Sequence, residues 1–209
     1  MRILRNLALL FTALLLYVAG MLFLYPRPAD TTDPAVFAGD GAQLDYCDLP
    51  TLYGGGLTAA DIPKAFTPGC GWQRWPLPIL AACTEPLAPG VVDLRGLWRS
   101  VTEGVDHVER IEQCGNRTVI TAAGIIHDFL TDGTLSNGSR DIEPPGCMNT
   151  WASIDWREDV MHFHPFGLPY TIVTREMQQD QLVWHYPRLG EVRMERICRI
   201  PEEHRHRPG

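Results

Sequence analysis

Apolar and polar positions divide this chain into three stretches. In the first, Leu7–Tyr25 runs for roughly nineteen residues without a charge, behind Arg2 and Arg5; a helix rising about 1.5 Å per residue can cross a bilayer core at that length. The run continues through Leu22–Tyr25, past its one small pair, Ala19-Gly20, and is longer than the apolar region of most cleaved signals. The expectation is therefore an uncleaved signal anchor over residues 1–25, in contact with the lipid bilayer through residues 7–25, with a cleaved signal as the alternative. The Arg pair stays cytoplasmic, so a single-pass topology puts everything after Tyr25 on the periplasmic or extracellular side. No Cys follows the run closely, which argues against a lipoprotein anchor.

The second stretch, 26–92, holds no sustained period. Pro26–Pro34 reads as an extended tether and the remainder as an irregular segment rich in Pro, Gly and Cys. It contains a short helical candidate, Thr58–Lys64, with Thr58 as N-cap and Asp61 three later. Gly54–Gly56 is no phosphate loop, because no Lys-Ser/Thr follows it. Trp72 and Trp75, among Pro and Gly, suit a packed cover pinned by disulfides, or else an aromatic platform for a ligand. Whether this segment plugs the third stretch or wraps it is open.

In the third, alternation takes over. Strands are expected at 94–101, 107–114, 117–123, 125–130, 150–156, 160–164, 170–177, 181–186 and 192–200, with hairpin signals at Gly115-Asn116 and Asp132-Gly133 and a loop at Ser136–Ser139. Helical windows are few. The fold class is all-β: an antiparallel up-and-down barrel of about eight strands over 93–201, enough to enclose one small ligand. Residues 202–209 read as a disordered tail, and its His and Arg carry no more than adventitious metal affinity.

Charge and cysteines narrow the setting. A formal net charge of −7 argues against nucleic acid as a partner. Six Cys (Cys47, Cys70, Cys83, Cys114, Cys147 and Cys198) all follow the anchor, an even count that suggests disulfides on the exported side. Fifteen pairings are possible. Cys70 with Cys83 would close a local loop, leaving one of the later three to reach Cys47. No spacing is that of a zinc knuckle or a redox motif. The sequons at Asn116 and Asn137 both fall at expected turns.

The step Gly96-Leu97-Trp98 opens the first strand, and Arg193, Arg196 and Arg199 lie on the last. This arrangement, with a meander of hairpins between, resembles the lipocalin-like (calycin) barrels over roughly residues 93–201. The resemblance implies that Trp98, with Gly96, closes one end of the barrel under a last-strand Arg, Arg196 being the middle choice. It also implies that the interior takes a small, often hydrophobic molecule. The short barrel and the lack of a C-terminal helix depart from that family.

The strands add polar chemistry to this expectation. Along His107–Cys114 one face carries His107, Glu109, Ile111 and Gln113; the other carries Val108, Arg110, Glu112 and Cys114. Solvent accounts for any one such residue, but together they lead to the expectation of at least one His, Arg or Glu inside. The ligand contacts expected are His107, Glu109, Arg110, His127, His162, His164, Tyr170 and Trp184. His162 and His164 alternate as metal ligands do, with His127, His185 or Asp128 as a third, but nothing fixes that third ligand, and no metal or cofactor is assigned. His127 or His162 with Glu109, Glu112 or Glu176 would suit general acid–base catalysis. No nucleophile elbow, HExxH or Gly-rich fingerprint is present, and no catalytic residue is assigned. The chain therefore reads as an anchored barrel binding a small, partly hydrophobic ligand. The alternatives are a structural module with envelope protein partners and a small-molecule enzyme.

Overall fold

The computed structural model describes residues 2–23, 39–48, 55–141 and 148–205. Helix α1, Arg2–Phe23, stands apart with its large apolar side chains from Ile3 to Val18 exposed. Over Arg2–Gly20 it is long and apolar enough to cross a membrane, a property that signal sequences share.

Ten strands follow: β1 Gly96–Ser100, β2 Val108–Cys114, β3 Arg117–Ala122, β4 Ile125–Leu130, β5 Ser136–Asp141, β6 Met148–Arg157, β7 Val160–Pro165, β8 Val173–Gln178, β9 Gln181–Tyr186 and β10 Gly190–Ile197. Each pairs antiparallel with the next and β10 returns to β1, so the sheet closes into a barrel with no free edge. The nine segments legible in the alternation all form strands. The tenth is β5, SNGSRD, where polar residues and a Gly signalled a loop. Its neighbours impose the extended form. It pairs with β4 and β6, and the Asn137 carbonyl accepts from Lys64 Nζ. Gly138 is required there because a Cβ would strike the Phe129 ring. The barrel thus has ten strands rather than about eight.

Side chains alternate between two cores. Inside lie Trp98, Ile111, Ile120, Phe129, Ile154, Met161, Leu182, Trp184 and Met194, among others. Outside, the described residues of 39–92 wrap β1–β4. Tyr46, Ile62, Trp72, Trp75, Ile79 and Leu80 pack on Leu97, Val108, Val119 and Ile126. Trp72 and Trp75 are thus cover residues, with ring centroids 4.8 Å apart. The described residues of the segment wrap the barrel rather than plugging it.

Thr58–Lys64 is a turn, not a helix. Asp61 accepts from the backbone and hydroxyl of Thr58 at 2.8 Å each. Pro63 has no N–H for the Ala59 carbonyl, which accepts from Arg117 Nη1 at 3.0 Å instead. Residues 201–205 are an ordered turn rather than a tail: Trp75 Nε1 donates to the His204 carbonyl at 2.8 Å, and His204 Nε2 meets Asp106 at 2.8 Å.

Among the described residues, two disulfides tie the cover down, Cys47–Cys198 and Cys83–Cys114. Cys83 therefore reaches β2 and not Cys70. Cys147 and the side chain of Cys70 lie outside the described residues.

Candidate functional site

The pairing register decides which side chains point inward. On β2, Glu109 lies opposite Trp98 and Ala122, both interior, while Arg110 lies opposite Leu97 on the covered face. On β8, Arg175 lies opposite Met161 and Trp184 and is interior as well. Glu109 and Arg175 meet across the barrel in a paired bridge, Nε to Oε1 at 3.1 Å and Nη2 to Oε2 at 3.0 Å. His107 Nε2 approaches Glu109 Oε2 at 3.1 Å. The Trp184 indole binds the group together, stacking on His107 at 4.8 Å and receiving the Arg175 guanidinium at 5.4 Å from its centroid.

Burial alone would raise the Glu109 pKa. The charge of Arg175, with hydrogen bonds and charge from His107, reverses that and holds the carboxyl well below the usual carboxylate range. Glu109 is therefore an ion at neutral pH.

His127 on β4 faces the same interior, opposite Ser139. Burial lowers its pKa; the carboxylates of Asp141 and Glu109 oppose this and Arg175 reinforces it. The ring is neutral at pH 7, with Nδ1 buried and without a protein partner. Asp141 accepts from Thr150 Oγ1 at 2.6 Å beside it. The indole nitrogens of Trp184 and Trp156 and the hydroxyls of Ser139, Ser136 and Thr118 are also buried without partners. By register and alternation all of them belong to the interior set.

Of the expected contacts, the fold therefore brings together His107, Glu109, His127 and Trp184. Arg110 belongs to the cover interface. Its guanidinium donates to the Tyr46 hydroxyl and the Pro76 and Leu77 carbonyls and pairs with Glu112 at 3.2 Å. Burial raises the Glu112 pKa, against the lowering effect of Arg110, and raises that of the Tyr46 phenol likewise. Arg117 and Asp128 form the matching pair on β3 and β4, Nη2 to Oδ2 at 2.6 Å.

His162 and His164 also lie outside, because they sit opposite Asp155 and Ser153 while Met161 and Phe163 fill the interior parity. His164 Nε2 approaches Asp155 at 3.1 Å, and its Nδ1 donates to the Tyr170 carbonyl at 3.2 Å. His162 Nδ1 meets Thr171 Oγ1 at 3.1 Å. The barrel wall thus separates this His pair from His127. Asp128 and His185 are on the outer face too, His185 Nε2 lying 3.7 Å from Glu176. Among the described residues, three potential ligand atoms converge at Asp45–Cys47–Cys198 and Cys83–Glu85–Cys114, and both sets spend their sulfurs in disulfides. Tyr170 is exposed in the β7–β8 connection.

Arg175, Asp141 and Ser139 were not legible as site residues. Arg175 shares its parity with Val173 and Met177, an apolar frame that marks the inward face of β8. Asp141 and Ser139 belong to the strand whose sequence signals a loop.

On β1, directly opposite Glu109, Trp98 is fully buried, its Nε1 donating to the Leu94 carbonyl at 2.9 Å. Arg196 lies opposite it on β10, 4.7 Å above the ring. Gly96, at φ +152°, makes room: a Cβ there would sit 3.2 Å from Arg196 Nε.

Of the two sequons, Asn137 is buried in β5, and Asn116 sits in a turn and donates to Asp132 at 3.0 Å. No protein-family model matches this chain, and no curated protein matches it in sequence.

Proposed function

We propose that this chain is a membrane-anchored, lipocalin-like barrel that binds a small, partly apolar molecule in its interior, with α1 as the anchor and the barrel on the extracytoplasmic side. In this reading Trp98, capped by Arg196, stops one end. The polar part of the ligand lies against His107, Glu109, Arg175, His127 and Trp184, and its apolar part against Ile120, Phe129 and Ile154. The observation that carries the proposal is the set of buried, inward polar atoms without protein partners, His127 Nδ1, Trp184 Nε1 and Ser139 Oγ foremost. Each unsatisfied group of this kind costs about 1–3 kcal/mol, so their clustering beside an ion pair is the mark of a site that a polar molecule completes.

Native mass spectrometry of the detergent-purified full chain tests this. The expected result is an adduct that organic extraction removes, together with uptake of an apolar fluorescent probe by the stripped protein. Equal masses before and after extraction, with no probe uptake, would sink the reading.

The His107–Glu109 contact favours a second reading, an enzyme with a His–carboxylate pair in hydrogen-bond reach. Arg175 argues for binding instead, since it occupies both oxygens of Glu109 and makes the carboxylate a strut.

A further inference from the structure

The two ends of the barrel differ in chemistry. At the end where β1 begins, the connections after β2, β4, β6 and β8 expose Asp132, Glu158, Asp159 and Asp180, and the exposed large apolar residues near it are Leu130 at the end of β4 and Leu57 in the cover. The opposite end carries Val101 after β1, Ala123 after β3, Met148 at the start of β6, Phe166 and Tyr170 after β7, and Leu189 after β9, all exposed.

In the closed strand order the connections bearing Met148, Phe166 and Tyr170, Leu189 and Val101 follow one another around the rim. Together they set an arc of exposed apolar side chains along that rim. Scattered exposed apolar residues are ordinary; an arc confined to one end is not. Among the described residues the charges beside it include Glu103, Asp106, Arg188 and Glu191; Asp106 pairs with His204 and Glu191 with Arg193.

We propose that this rim seats on the surface of a lipid bilayer, turning that end of the barrel toward lipid and the acidic end away from it. The proposal rests on reading α1 as a membrane anchor and is independent of any ligand in the barrel. Two observations point to a bilayer as the partner. The chain carries its own membrane-length helix with its apolar side chains exposed. Residues 24–38 can span at most roughly 50 Å at about 3.3 Å per residue, which holds the barrel within reach of the membrane that α1 would cross. Rim side chains such as Phe, Tyr, Leu and Met enter the headgroup boundary readily, and Arg188 beside Leu189 suits a phosphate.

Hydrogen-exchange mass spectrometry of the full chain, compared between lipid nanodiscs and a bilayer-free amphipol, tests the docking. Exchange at 166–172 and 187–190 is expected to slow about ten-fold in nanodiscs, with no change at 131–135, 158–159 and 179–180. A Phe166→Asp/Tyr170→Asp/Leu189→Asp variant should lose that protection while β2 and β9 stay protected, which shows it folded. Equal exchange at the rim in both settings, or protection at the acidic end, overturns the proposal. An intact N-terminal mass on the membrane-extracted protein separates failure of the rim from failure of the anchor, and neither readout depends on ligand binding.

Discussion

Arg110–Glu112 on β2 and Glu191–Arg193 on β10 are the same device. Each is an Arg and a Glu two residues apart on the outer face of one strand, paired at 3.2 Å and 2.6 Å. Their surroundings differ. The first pair is 0% and 8% exposed beneath the cover; the second is 40% and 43% exposed on the bare side of the barrel. Under the cover the charges must be neutralised and every remaining donor used, and Arg110 accordingly reaches two carbonyls and two hydroxyls as well. On the bare side, water does that work. The same residues thus fasten one region and only decorate the other.

Breaking the buried pair has the largest expected effect. Arg110→Ala strands Glu112 and the Pro76 and Leu77 carbonyls and should destabilise by about 3–5 kcal/mol in urea unfolding followed by tryptophan fluorescence. Replacing both partners, Arg110→Met with Glu112→Met, should recover most of that loss; a double variant as unstable as the single one would mean that the pair contributes more than neutralisation.

Next comes Gly138→Ala, which drives a methyl into Phe129 and should cost roughly 1–3 kcal/mol by the same measurement. A neutral result would show that β5 is looser than its neighbours.

A smaller effect, about 1 kcal/mol, separates the interior from both outer faces through pH. The folded pKa of His127 lies below that of the unfolded chain, so the unfolded chain takes up the proton first. Its contribution is complete above about pH 6.5 and is lost as pH falls below that. Urea midpoints at pH 7.5 and 5.5 should therefore differ in the parent and differ less in His127→Gln. Burial also lowers the pKa of His162, which leaves a residual slope of the same sign in that variant.

Smallest of all, Arg193→Ala should change stability by about 0–1 kcal/mol. A loss as large as that of Arg110→Ala would erase the distinction between the two sides.

The comparison also explains what could be read in advance. Alternation gave away nine strands because apolar residues recur at every second position in them. The Gly96–Trp98 step and a last-strand Arg were legible because they are local. Which face of VERIEQC points inward was not, because the polar residues of both faces are buried, one set by the barrel and the other by the cover. β5 was hidden for a related reason: its form comes from Lys64, Phe129 and its partner strands rather than from its own residues. Disulfide pairing depended on where the cover lies, and that is a property of the packed outer core.

The Cys47–Cys198 bridge has a mechanical consequence. It joins the start of the cover to a point just past β10, across a sequence separation of 151. A pull on the N-terminal side, resisted from the C-terminus, enters at the first half-cystine, crosses one covalent link and leaves at the second. The chain between them, which holds every strand of the barrel, is a slack parallel path. While the bridge stands, load bypasses the barrel; once it is reduced, the same pull runs through all ten strands.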